Sequence, residues 1–148
     1  MAEGAKSDIQ IQSGLMVTRV REHMADVSIE QNLLEMDLTW SEPEIISCMK
    51  LAADRFNEMN PQVVTISPSC NKYPAMFLDG VDYYMLRMKI MGWMRNDVSF
   101  TAGNMETSPH KARIKHLQPV AKDLQESFIT QIKEIKVAAN AKAAFCSY

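Results

Sequence analysis

Glycine and proline are scarce in this chain, with 5 and 6 among 148 residues. So few turn formers cannot serve the many tight connections of a β sandwich or barrel, which leaves a mainly helical fold. Cysteine is scarcer. Cys48, Cys70 and Cys146 are odd in number and far apart, so neither a disulfide framework nor a metal-ligand spacing is indicated. Free thiols fit a reducing, intracellular place of assembly. A signal-peptide pattern is lacking, and charge interrupts every apolar run well short of the roughly 20 residues a membrane span needs.

The patterns of chemistry are missing too. There is no Gly-rich phosphate loop and no Ser/His/Asp or Cys/His grouping. His23, His110 and His116 make no i, i+4 pair that could hold a metal. Asp79-Gly80-Val81-Asp82 has the look of a calcium-loop fragment, but the later ligands and closing glutamate are absent. The two aspartates are expected to cap or solvate the start of a helix. No enzyme activity, metal or cofactor is expected.

What is present is apolar content and methionine. Hydrophobic residues make up 47% of the chain, enough for one folded domain with a real core. Twelve methionines stand against five phenylalanines. Methionine fills irregular gaps and adapts to several partners, so it suits interfaces as well as cores. The net charge of −2 rules out bulk electrostatic binding of nucleic acid. Its distribution is uneven. Residues 26–60 hold eight acids and two bases, and residues 110–142 seven bases and three acids. Opposed segments of this kind can pack head to tail, acid on one subunit against base on the next. Glu42 and Glu44 against Lys133 and Lys136 are the candidates for such a contact. Two solvated helix faces would carry the same pattern.

Residues 1–14 read as a flexible or extended arm. Leu15, Met16, Val20 and Met24 mark one face of a short first helix over 15–24. A loop with partial alternation, and at most a short strand, follows to Trp40. Ser41-Glu42-Pro43-Glu44 is a capping box with proline in the first turn. It opens a second helix whose stripe is Ile45, Ile46, Met49, Ala52, Ala53 and Phe56. Asn60-Pro61 ends it. Residues 61–73 are a loop of extended character. Residues 74–96 form a third helix, apolar nearly all round and therefore central. Residues 97–107 read as a short β-hairpin turning at Gly103-Asn104. Ser108-Pro109 starts a long fourth helix with the stripe Ile114, Leu117, Ala121, Leu124, Phe128, Ile132 and Ile135. Pro119 inside it should kink or loosen one turn. Lys111, Lys115 and Lys122 lie on its other face, too poor in aromatics for base stacking. That face is a solvated surface, a subunit contact or a loose, sequence-blind lining for a DNA channel. The expected organisation is arm 1–14, helical domain 15–140 and tail 141–148. The fold class is mainly α, a four-helix bundle with a short hairpin.

The succession Val17-Thr18-Arg19-Val20-Arg21, His23-Met24-Ala25-Asp26, Asn32-Leu33-Leu34, Trp40 to Ile45, Leu51 to Asn57 and Pro61 resembles the head-to-tail connector (adaptor, or neck) proteins of tailed bacteriophages. In the second half Ile135-Lys136, Asn140 and Phe145 are similar to the end of such chains. The chain departs from the pattern at Pro119 and in having methionine rather than glycine and alanine in the third helix. The resemblance implies a structural virion protein at the neck, assembled in the host cytoplasm as a ring of roughly twelve copies. It implies docking on the portal protein through the C-terminal segment, where Ala144, Phe145 and Tyr148 are the expected contacts because exposed aromatics at a chain end are typical anchors. Other neck or tail proteins are further partners, with packaged DNA touched non-specifically. A tail-completion or baseplate protein is the alternative, then a small helical DNA-binding regulator.

Overall fold

The computed structural model describes residues 8–24, 40–69, 72–96, 100–102, 105–107 and 110–145. Among them the fold is mainly α. Its helices are α1 (Asp8–His23), α2 (Glu42–Glu58), α3 (Pro74–Asn96) and α4 (Lys111–Phe145). Strands β1 (Phe100–Ala102) and β2 (Met105–Thr107) pair antiparallel, with Phe100 opposite Thr107. The expected turn residues Gly103 and Asn104 lie outside the described residues, as does the loop at 25–39.

α3 is the central element, packed most extensively on α4, then on α2, with α1 laid across α2 and α3. Its first half earns that place by being apolar on every side. Met76, Phe77, Leu78, Val81, Tyr83 and Met85 are all buried. The closest approach is at Gly80. A Cβ there would stand 2.5 Å from Cε2 of the Phe128 ring on α4. Phe128 is itself 1% exposed, so its ring has nowhere to swing. The second half of α3 opens to solvent at Met91 and Met94.

α2 begins at the expected serine. Glu44 Oε2 accepts from the Ser41 backbone N–H at 2.8 Å and from Ser41 Oγ at 2.7 Å. Its buried stripe is the expected one, with Cys48 added and Ile46 only half-buried. Burial pushes the Cys48 thiol up to about 11, which makes it a small core hydrophobe and not a nucleophile. Beyond α2 the chain turns at a cis Asn60–Pro61 bond and runs extended. Asn57 pins that run: its Nδ2 donates to Ile66 O at 3.0 Å, and Ile66 N–H donates to its Oδ1 at 2.9 Å. This two-way clasp places Ile66 in the core.

Two boundaries differ from the sequence reading. α1 starts at Asp8, so the latter half of the segment read as an arm is helical. Its buried face is Met16, Val17 and Val20, while Leu15 is 68% exposed. α4 runs to Phe145, so most of the segment read as a tail continues the helix. Pro119 lies inside α4, on its exposed side, and α4 continues through it as one helix. A proline forfeits one backbone hydrogen bond there, a loss that water on an exposed face can offset.

Gly80→Ala should lower the stability of the chain by about 2–3 kcal/mol, the cost of overpacking a rigid core site. Gly80→Ala combined with Phe128→Leu should recover part of that loss. Urea unfolding followed by circular dichroism measures both. A Gly80→Ala chain as stable as the parent would mean that α3 and α4 do not approach so closely.

Candidate interaction surfaces

The four charges proposed to join neighbouring subunits have different fates. Glu42 and Lys133 are exposed. Glu44 is exposed but engaged, because the Ser41 hydrogen bonds hold its carboxyl below the usual glutamate range. Lys136 must be corrected. It is 0% exposed and cannot meet an acid on another subunit. Its position explains this. Phe128, Ile132 and Lys136 are spaced i, i+4, i+8 and all three are buried, so the lysine continues the core stripe of α4. Its Nζ donates to the backbone carbonyl of Met59, which closes the C-terminal end of α2. The same ammonium stands 4.8 Å over the Phe56 ring. The carbonyl and negative dipole of a helix end, with an aromatic face beside them, are a suitable seat for a buried cation. Burial still pulls its pKa below the ordinary lysine value. The 3.6-residue period carried this signal, but the charge of the side chain argued the other way.

Asp79 and Asp82 also need correction. They sit inside α3, not at its start, and each ties α3 to another helix. Asp79 Oδ2 accepts from Gln131 Nε2 at 2.6 Å and from Ser127 Oγ at 3.2 Å, both on α4. Asp82 Oδ2 lies 3.0 Å from Nε2 of His23 on α1. Asp82 is buried, and its other oxygen has no hydrogen-bond partner among the described residues. Burial pushes its carboxyl up to about 6, against the pull of His23 and with a further push from Asp79. His110, at the foot of α4, stacks on Trp93 with ring centroids 5.8 Å apart. Among the described residues no group of three or more His, Cys, Asp or Glu is placed to hold a metal.

Lys111, Lys115 and Lys122 are exposed. At 100° per residue they fall within about 40° of one another on α4, so they form one basic face. Lys122 lies 3.7 Å from Glu126 in a well-exposed i, i+4 pair, which contributes little.

The end of α4 leaves the core. Ile132 and Lys136 are fully buried, yet Val137 is 63% exposed and Phe145 83%. Ala144 is exposed as well; Tyr148 lies outside the described residues. One flank of these last turns borders a groove of about 550 Å³ against Val64 and Tyr73, with Ile135, Ala138 and Ala139 on the α4 side and Lys142 at its edge. The other flank, through Val137, Ala141 and Phe145 at i, i+4, i+8, is an apolar stripe without cover from the described residues. No helix among the described residues is long and apolar enough to cross a membrane.

Lys136→Ala should cost about 2–4 kcal/mol, since it opens a cavity and strands the Met59 carbonyl. Lys136→Met should cost less than half as much, because the stem packing is kept. If both cost nothing in chemical denaturation, the lysine is not built into the core. Asp82 titrates at 3.8 when exposed and at about 6 in the fold. The folded chain therefore holds this proton more tightly, and ionising Asp82 costs stability. That cost is absent below about pH 4, grows through pH 6 and is full above it. Asp82→Asn should thus stabilise the chain by roughly 1–2 kcal/mol at pH 8, allowing for solvent screening, and the gain should fade towards pH 4. A gain independent of pH would contradict the assignment.

No family model matches the chain, and neither a curated protein nor a solved structure does.

Proposed function

We propose that the chain is a structural virion protein of a tailed bacteriophage, a head-to-tail connector subunit that docks on the portal and joins capsid to tail. It acts as one copy in a ring, at the neck of the virion, and catalyses nothing. In this reading the four helices act as a rigid bundle that forms the ring wall, and the paired strands as a hairpin on its rim.

The observation that carries the reading is the end of α4. After fully buried Lys136 no described side chain of α4 is buried, from Val137, 63% exposed, to Phe145, 83% exposed. An apolar helix end that the other described residues leave open is a surface for another chain, and an exposed aromatic near the end is a common anchor. The likeness of the sequence to connector proteins points to the portal as that chain. The basic face of Lys111, Lys115 and Lys122 supports a second feature. Lysines on a lumen wall hold a phosphate backbone without reading sequence, which is what a channel for passing DNA needs.

Removing residues 141–148 should abolish co-purification with the portal protein encoded in the same genome and leave the helical circular dichroism and melting temperature nearly unchanged. A truncated chain that still docks would overturn the assignment of the α4 end. A full-length chain that ignores the portal but shifts a DNA band would turn the reading towards a DNA-binding regulator.

A further inference from the structure

Of the described helices α1 is the least firmly packed. It lies on α2 and α3, far less extensively than α4 lies on α3. Its described buried side chains are Met16, Val17 and Val20. Its C-terminal end is fastened by a polar contact, His23 Nε2 standing 3.0 Å from Asp82 Oδ2 on α3. Asp82 is 7% exposed, next to Val81 at 0%, and its Oδ1 has no hydrogen-bond partner among the described residues. A carboxylate is costly in such a place with one oxygen unpaired, and protonation relieves the cost. The charged groups that act on it are His23 from α1 and Asp79 from α3; among the described residues α2 and α4 contribute none. What α4 presents there is neutral, Ser127 and Gln131, and both engage Asp79.

We propose that α1 is a proton-latched strap: it lies closed over the seam between α2 and α3 while a proton sits on Asp82, and it lifts as that proton is lost. With α1 lifted, the carboxyl meets water and ionises near its ordinary value of 3.8; with α1 closed, burial holds it up at about 6. Closing therefore takes up a proton between these values. Above pH 6 it must instead bury a charge, which one contact with His23 offsets only in part. The strap has its full hold below about pH 4, loses it through pH 6 and is loosest above. The bundle beneath does not follow, because the seating of Phe128 on Gly80 joins α3 to α4 without a titrating group. A lifted α1 uncovers the apolar seam that Met16, Val17 and Val20 fill, so pH governs whether that seam is open to another molecule. The strap is a property of the free chain and stands apart from the connector reading.

Amide hydrogen exchange of the full chain, resolved by peptide and corrected for the intrinsic effect of pH, tests the proposal. From pH 5 to pH 8 the opening constant of α1 should rise about tenfold, the factor that a carboxyl moved from 3.8 to about 6 gives over that range. Amides of α3 and α4 around Gly80 and Phe128 should stay protected at both pH values, and in each variant they report that the bundle is folded. Asp82→Asn keeps an acceptor for His23 but cannot ionise, so its α1 should be equally protected at pH 5 and pH 8. His23→Ala should loosen α1 at both pH values and keep the rise between them, because the carboxyl supplies it. Four results would each overturn the strap: parental α1 exchanging in step with the core, no rise with pH in the parent, a rise that survives Asp82→Asn, or a rise abolished by His23→Ala.

Discussion

The contact on which the rest of the molecule depends is the seating of the Phe128 ring on the bare backbone of Gly80. No other residue type allows α3 and α4 to come so close, because a single methyl group would enter the ring. This approach fixes the separation of the two longest helices, and the neighbouring contacts follow from it. Asp79, one residue before the glycine, is brought within reach of Ser127 and Gln131. Asp82, two residues after it, faces the other way and meets His23 of α1. With α4 held there, Ile132 and Lys136 fall one and two turns further along its buried stripe, and Lys136 arrives at the C-terminal end of α2.

The core is thus registered by polar side chains as much as by apolar ones. Burial of hydrocarbon is nearly indifferent to a slide of one helix along another, and methionine-rich surfaces are especially tolerant. A lysine that must reach one carbonyl, or an asparagine that must clasp both backbone groups of Ile66, is not tolerant at all. A buried polar group left without its partner costs more than the hydrogen bond contributes when made, so these contacts penalise wrong registers more than they stabilise the right one.

Much of the helical layout is legible in the sequence, and the reasons are local. Ser41 with Glu44 marks one helix start, Asn60-Pro61 an end, and the nearly all-round apolar pattern of 74–96 a central helix, each through chemistry within a few residues. The misreadings have a common cause. Charge places Lys136 and Asp82 at the surface in the sequence reading, but the partners that accept them, the Met59 carbonyl and His23, lie 77 and 59 residues away along the chain. Leu15 was assigned to the core because it is apolar, yet the orientation of α1 across α2 and α3 buries Val17 in its place. The ends of α1 and α4 were read as arm and tail because small and polar residues weaken the periodic signal there. Alanine and lysine, which dominate the end of α4, are nonetheless strong helix formers.

The charge asymmetry between the two ends of the chain changes meaning once it is folded. Summed along the sequence, an acidic region and a basic region suggest that one segment pairs with the other across a subunit boundary. In the fold, part of that charge is already committed: Glu44 to its cap and Lys136 to the end of α2. What remains for another molecule is what the helices leave outside, and position decides it. α2, α3 and α4 share one such face, where Asp54 and Glu58 stand with Arg55 and Arg87 around Leu51, and Lys122 lies nearer Met91 and Met94. The other open apolar surface, at the end of α4, begins at Val137, eight residues or about 12 Å beyond Ile129 at 1.5 Å per residue. The two surfaces share α4 but no lining residue. Both lie outside the contact of Phe128 with Gly80, so a partner at either one needs no rearrangement of the core beneath it.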